Sequence, residues 1–511
     1  MKKQSFLTGA FILMISGLIT RIMGFFLRII LVKYVGDEGL GLFQMVYPLY
    51  MTMLLISTAG FPVAISKLIP EKVTNNNITG AFQLLKISLI FTALLGTLTS
   101  VSLYYSANMI AHNLFSDPRT NLILITISPA LIFCPIGASL KGFFQGFHNM
   151  NPTALSRIIE QLTRIIATLI IINMVNSLGL KYQAAAIAMG IAVGEAFSLL
   201  ILIYLFLKFR STLQNKKNSG EKHSYKKSFR NIFNLAIPIT TGRLINSLMM
   251  SARAILIPRQ LRLSGKTTAE ATSLYGQLSG MAMQLILLPT VITIALTTSL
   301  IPTISEAYAQ NNMEKIKRNY RDIIRITTYL GFPVTIIYIC RGADICRLLF
   351  SIPEAGQILS LLAFSSTFIY FLNISSGMLN GLGAPRLTVR NLTIGSTIQL
   401  GGIYYLTIIL KPGIIGTAIA ITTGYLIAAL LNFISIGNKI GFHFDIKNEY
   451  FKPLFCSSIL LLINPYLEHL YQNFSFSVKT LAILLSLGLL YLASMFITRA
   501  ITGEDIKRFK P

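Results

Sequence analysis

The feature that most limits this chain is the recurrence of apolar runs of roughly 18 residues or more, set apart by short stretches of Gly, Pro, Asn and charge. A run of that length crosses the ~30 Å hydrocarbon layer as an α-helix rising ~1.5 Å per residue. A membrane strand would instead alternate polar and apolar residues over about ten positions, and no such alternation occurs. The pattern predicts an all-α polytopic membrane protein. Composition agrees: 53% of the 511 residues are hydrophobic and only 12% charged, so the net charge of +26 is not that of a nucleic-acid binder. Soluble basic proteins of that kind carry about a quarter of their residues charged.

Fourteen spans are expected, with cores at 6–32, 41–65, 80–107, 122–144, 154–175, 184–207, 233–257, 274–304, 323–339, 357–379, 387–410, 414–436, 451–470 and 478–497. The ninth is the shortest and is interrupted by Pro333. The first apolar run begins behind Met1-Lys2-Lys3 and has no small-x-small cleavage site, so it reads as an uncleaved first span. With the N-terminus placed in the cytoplasm, 28 of the 44 Lys and Arg fall in inside loops, 10 in outside loops and six within spans. That bias sets both termini on the cytoplasmic side of the plasma membrane. The longest inside loop, 208–230, holds eight basic residues and reads as a solvated linker drawn to anionic lipid.

The linker lies where two halves would meet. Residues 1–207 are expected to form an N-terminal lobe, 231–437 a C-terminal lobe, and 438–511 two additional spans with a cytoplasmic tail. An internal repeat supports the division: the fourth span carries Gly142, Gln145 and Gly146 and the tenth carries Gly377, Asn380 and Gly381, each a G-x-x-[QN]-G with a proline soon after. The second span likewise ends around Pro62 and Ser66, the eighth around Pro302 and Ser305. Six spans separate each pair, so the halves share one orientation about an axis along the membrane normal. Glycines four apart let helices approach closely, and packing is the expected role of this motif.

Soluble catalytic signatures are absent. Cys134, Cys340, Cys346 and Cys456 form no CxxC pair, the five histidines show no ligand spacing, and no phosphate-cradling Gly-rich loop leads to a lysine. No catalytic residue, metal or cofactor is expected, nor nucleic acid as a partner.

Four stretches carry a family likeness: TRIMGFFLRIILVKYVGDEGLGLFQ from Thr20, FPVAISKLIPE from Phe61, KGFFQGFHNMNPTALSRIIEQ from Lys141, and YGQLSGMAMQLILLPTVITIALTTSLIPTISEA from Tyr275. Together they resemble the stage V sporulation protein B family, in the polysaccharide-transport branch of the multidrug/oligosaccharidyl-lipid/polysaccharide exporter superfamily. The likeness covers most of the first twelve spans. It implies a bilobed transporter that alternates between inward- and outward-open states and moves a lipid-linked cell-wall precursor, in that family for the spore cortex. Lipid II flippases of the same superfamily line their cavity with arginines from the first, second and eighth spans and keep an Asp near the second. Arg21 and Arg28 match the first-span pattern, with Arg28 displaced by about one position. Thr52, Gly39 and Gln284 stand near the other positions, which leaves the saccharide open.

Charges at membrane depth cost about 2.5 to 3.5 kcal/mol each on insertion scales, so each marks a functional candidate. Arg21 and Arg28 lie seven apart on nearly one helix face, about 10 Å along the axis. Such a face suits a pyrophosphate, because guanidinium binds phosphate oxygens through parallel hydrogen bonds. Arg243 and Arg253 occupy the matching segment of the second half. Arg157, Glu160 and Arg164 share one face of the fifth span and read as a locally neutralised network. Glu195, with no cation near it in sequence, reads either as a buried acid bonded to a neighbouring helix or as a proton-coupling group.

The expected function is a flippase for a lipid-linked saccharide or peptidoglycan precursor, moving it from the cytoplasmic to the outer leaflet with H+, Na+ or the membrane potential as driving force. The alternatives are a cation-coupled multidrug exporter of the same superfamily, and a membrane-embedded glycosyltransferase or polymerase. The enzyme reading is disfavoured because the outside loops are short and their acids form no paired cluster apart from Asp37-Glu38.

Overall fold

The computed structural model describes residues 6–214, 225–410, 413–441 and 451–498. Among these every element is helical, as backbone in lipid requires when water cannot satisfy its N–H and C=O groups. The chain is an all-α polytopic membrane protein, and eleven described stretches are long and apolar enough to cross a bilayer.

The first of these stretches holds the two expected N-terminal spans in one run. Helix α1 (Phe6–Thr58) bends at Gly36, whose φ of 64° is open to glycine and strained for most other residues. Helix α2 (Phe61–Thr74) follows, and α3 (Ile78–Ile110) begins where the Asn77 side chain accepts the Gly80 N–H at 2.6 Å. The expected fourth span is two helices, α4 (Thr120–Ile127) and α5 (Ala130–Gly146), parted at Pro129, which has no N–H to continue the ladder. Helices α6 (Asn151–Val175), α7 (Leu180–Gln214) and α8 (Tyr225–Leu263) come next. The expected eighth span is likewise divided, into α9 (Thr268–Tyr275), a π-helical turn, α10 (Met283–Leu287) and α11 (Thr290–Ala309).

Helix α12 (Met313–Phe350) runs through Pro333 and leaves helical geometry at Arg341 instead. The 323–339 core understates it by a wide margin, because charged residues at both ends hide its length. Helices α13 (Glu354–Gly381), α14 (Pro385–Ile409), α15 (Ile414–Ile440), α16 (Lys452–Leu470) and α17 (Phe476–Ile497) complete the chain. The seventh and thirteenth expected spans are α8 and α16, which fall outside the eleven. Parts of the expected linker and tail, 215–224 and 499–511, lie outside the described residues.

Contacts divide the chain into two units. The first comprises residues up to Arg259 with Thr268–Gly276; the second comprises Gln260–Thr267 and everything from Gln277. Helix α8 as far as Arg259 thus packs with the first unit, whereas the sequence reading starts the second lobe at 231. The contact has a visible cause: Thr52 of α1 hydrogen-bonds Ser247 and Ser251 of α8, each at 2.8 Å, with all three side chains buried.

Each unit has its own core. In the first, Phe61, Ile65, Ile69, Leu84, Phe143 and Phe144 are buried together. In the second, Tyr320, Ile324, Ile374, Met378, Ala428 and Ile436 form the centre. Helices α16 and α17 bury Leu460, Ile483, Leu487 and Tyr491 against Tyr329, Ile336 and Ile337 of α12. Arg341, only 4% exposed, ties this arm down by donating to Asn464 at 2.7 Å and Glu468 at 3.1 Å on α16, while it donates to Asp344 of its own helix at 2.9 Å.

The repeated motifs meet in pairs. A Cβ on Gly142 would stand 2.3 Å from the Pro62 carbonyl oxygen, and one on Gly146 would stand 2.7 Å from Ile69, so α5 lies directly on α2. In the second unit a Cβ on Gly377 would stand 2.3 Å from Thr297 and one on Gly381 2.9 Å from Ile304, so α13 lies on α11 in the same way. The G-x-x-[QN]-G helix and the proline-bearing helix are therefore packing partners in both halves, with Gln145 partly covered and Asn380 exposed.

Candidate functional site

Helix α6 starts at Asn151, with Pro152 in its first turn where no donor is needed. From there Arg157, Glu160, Gln161 and Arg164 fall on one face. Against that face lies α1, with Gly24 opposite the Gln161 side chain. One turn earlier on α1 are Thr20 and Arg21, and from α5 comes Lys141. These seven residues line a cavity of about 330 Å³ in the first unit.

Four of the seven are cations and one is an acid. Glu160 is held at both oxygens, by Arg164 at 2.6 Å and Lys141 at 3.4 Å. The Nε of Arg164 is buried with no hydrogen-bond partner among the described residues. Among the lining residues one carboxylate thus faces four cations. An anion carrying two or more charges complements such a site, and donors already fixed in place bind it without further ordering.

The structure regroups the residues singled out from sequence. Arg21, Arg157, Glu160 and Arg164 come together, but Glu160 is neutralised by Lys141 as well as Arg164 rather than within α6 alone. Lys141, counted with the loop charges, was missed; its only signal was its place beside the Gly142 motif. Arg28 does not line the cavity. On α8, Arg243 is exposed and Arg253 half-buried, and neither lines the cavity. Glu195 is buried, 7% exposed, on α7 beside Gly194, where a Cβ would stand 2.8 Å from the Glu160 carbonyl oxygen and 3.1 Å from Arg164 of α6, so the acid lies next to the helix that carries the charged face. Gln284 donates to the Ser279 carbonyl at 3.3 Å, and Gly39 packs against Leu180.

A second polar cluster gathers around Arg119. It donates to both oxygens of Asp117, at 3.0 and 2.8 Å, and to Glu38 at 2.6 Å. Thr272 donates to Asp117 at 3.1 Å and Ser273 to Asp37 at 2.6 Å. Hydrogen bonding to Asp117, then to Glu38, raises the pKa of Arg119 above the ordinary guanidinium value. Asp117 thus joins the one acid pair that sequence could show. With its oxygens occupied by Arg119 and Thr272, it is a structural anchor and not half of a catalytic dyad.

The family described as polysaccharide biosynthesis protein matches residues 6–308, and the MatE family matches residues 278–404. Stage V sporulation protein B of Bacillus subtilis (strain 168) is 28% identical over 512 residues, covering 99% of this chain and 98% of that protein. Lipid II flippase MurJ of the same organism is 28% identical over 462 residues, covering 86% and 84%. Among solved structures, lipid II flippase MurJ in an inward closed conformation aligns with a TM-score of 0.69 at 18% identity, covering 95% of this chain and 98% of that one. An inward-facing multidrug resistance MATE family transporter of the MOP superfamily aligns with a TM-score of 0.66 at 17% identity, covering 82% and 94%.

Proposed function

The chain belongs to the polysaccharide biosynthesis protein family and is a membrane transporter of the multidrug/oligosaccharidyl-lipid/polysaccharide exporter superfamily, not an enzyme, and from that premise we propose that it is a flippase for a lipid-linked saccharide. The observation that carries this reading is the cavity where Arg21, Lys141, Arg157 and Arg164 converge. A lipid-linked saccharide has one feature common to its class, a phosphate or pyrophosphate between lipid and sugar. Arginines bind that group through two parallel hydrogen bonds whatever the sugar. The lipid tail stays in the bilayer while the headgroup is carried from the cytoplasmic to the outer leaflet. An inside-negative membrane potential favours outward passage of an anion by about 2.3 kcal/mol per charge per 100 mV.

The MatE match and the MATE likeness raise the multidrug exporter as a second reading. A cationic drug would meet four cations in this cavity, so the anionic substrate is favoured. The test is headgroup accessibility in proteoliposomes holding a fluorescent polyprenyl-pyrophosphate saccharide. Protein-dependent transfer between leaflets, lost when Arg21 and Arg157 are both replaced by Ala, is the expected result. Transfer no faster than in empty liposomes would overturn the proposal.

A further inference from the structure

Two of the residues lining the cavity are neutral, Thr20 and Gln161, and they differ in what their polar atoms have left to do. The Thr20 hydroxyl shares its proton between the Ser16 and Gly17 carbonyl oxygens of its own helix, at 3.0 and 3.1 Å. Gln161 is 7% exposed, yet its amide makes no hydrogen bond among the described residues. Buried polar groups are nearly always paired, because leaving water without a new partner is costly. What surface Gln161 keeps opens on the cavity, and the wall of α1 opposite is low: a Cβ on Gly24 would stand 3.6 Å from the amide nitrogen and touch nothing else within 4 Å. One carbonyl oxygen and two N–H donors are therefore available to a molecule in the cavity.

The place of Gln161 on α6 narrows what that molecule is. It lies four residues after Arg157 and three before Arg164, about 6 and 4.5 Å along the axis at ~1.5 Å per residue, so it stands between the two cations on their face. A diphosphate held by these arginines brings the group esterified to it beside the amide. Ligand pockets span about 300–1,000 Å³, and one of about 330 Å³ takes a diphosphate and a single ring, with the rest of a saccharide outside.

We propose that Gln161 hydrogen-bonds the sugar attached directly to the diphosphate and is the specificity-determining residue of the cavity. This rests on the phosphate reading and deepens it: the arginines hold the charge common to the class, and the amide separates a diphosphate that bears a sugar from one that does not. A phosphate oxygen only accepts, whereas the ring substituents of a sugar both donate and accept, as the amide does. A ligand without them leaves the amide buried and unpaired, which is how a site built for hydrogen bonding rejects an analogue.

The experiment titrates two probes of equal charge and equal tail into the full-length protein in zwitterionic nanodiscs: farnesyl methyl diphosphate, and farnesyl diphosphate esterified to N-acetylglucosamine. Partition of the tail cancels in the ratio of the two affinities. Two hydrogen bonds make the expected preference of wild type for the sugar-bearing probe about tenfold. Gln161→Leu should lose that preference and keep its affinity for the methyl probe. Gln161→Asn, whose amide is set back by one methylene, should keep part of it. Binding of the methyl probe shows that each variant is folded. An unchanged preference in Gln161→Leu, or none in wild type, would overturn the sugar reading and leave the phosphate cavity standing. Equal loss of both probes, with the melting temperature unaltered, would make Gln161 a phosphate ligand and overturn it as well. No binding of either probe by wild type would overturn the cavity reading itself. UDP-N-acetylglucosamine carries the same diphosphate–sugar unit on a nucleoside, and at equal concentration it should not displace the sugar-bearing probe. Displacement would assign the subsite to nucleotide sugars and overturn the lipid-linked reading.

Discussion

Arg21 and Lys141 reach the same cavity from helices that lie far apart in sequence, and each does a different job there. Lys141 is engaged with Glu160, and Arg21 lines the cavity from α1. Hydrogen bonds to charged groups contribute about 1.5–3 kcal/mol net, so Arg21→Ala is expected to weaken pyrophosphate binding about 10- to 100-fold. Arg21→Lys keeps the charge and loses the paired donors, so an intermediate affinity is expected; titration of the three proteins in nanodiscs reads it. Arg119 serves stability instead. Its partner Asp117 is 1% exposed, and Arg119→Ala would leave that carboxylate buried with no cation, held only by the backbone N–H of residue 119 and the Thr272 hydroxyl. A loss of about 3 kcal/mol is expected, toward the low end for a broken buried pair because Arg119 is itself 31% exposed. Adding Asp117→Asn should restore most of the melting temperature. A double variant no more stable than Arg119→Ala would show that the charge is not what matters.

The helices show which signals in the sequence were local and which were not. The G-x-x-[QN]-G motifs were legible because the cause lies within a few residues: glycines one turn apart make a flat face, and a flat face meets another backbone. What they met was not legible, since nothing in sequence says that Gly142 rests on the Pro62 carbonyl oxygen while Gly377 rests on the Thr297 side chain. That difference predicts an asymmetry. At Gly142 an added methyl group pushes two backbones apart, whereas at Gly377 a threonine rotamer gives way. Gly142→Ala should therefore destabilise by about 1–3 kcal/mol, and Gly377→Ala by clearly less, in thermal unfolding of detergent-solubilised protein. Equal losses would mean that α11 cannot adjust. The same distinction explains the site. Arg157, Glu160 and Arg164 were visible because helical spacing puts them on one face. Lys141 was not, since its approach to Glu160 depends on how α5 packs, and it looked like one more loop charge. Breaks at Pro129 and Arg341 escaped for a related reason: mean hydropathy over a window passes smoothly across a local change of direction.

For the whole molecule, the net charge of +26 is an address before it is a chemistry. Basic residues are retained on the cytoplasmic side during insertion, so the skew of 28 against 10 predicts an orientation with both termini inside, and that orientation would decide which leaflet loads the substrate. The direction of transport proposed above depends on it. Helices α8 and α16 matter most here, because they fall outside the eleven apolar stretches, and if either fails to cross, everything after it changes sides. In a background with the four cysteines replaced, single cysteines in place of Ser219, Asn473 and Thr502 sample the expected linker, the turn between α16 and α17, and the tail. An impermeant maleimide on intact cells should label Asn473→Cys and leave Ser219→Cys and Thr502→Cys unlabelled until the membrane is opened. Labelling of Thr502→Cys alone among the three would mean that an odd number of helices crosses. Labelling of Ser219→Cys in intact cells would invert the first six, placing the mouth of the Arg21 cavity toward the wrong leaflet for loading from the cytoplasm.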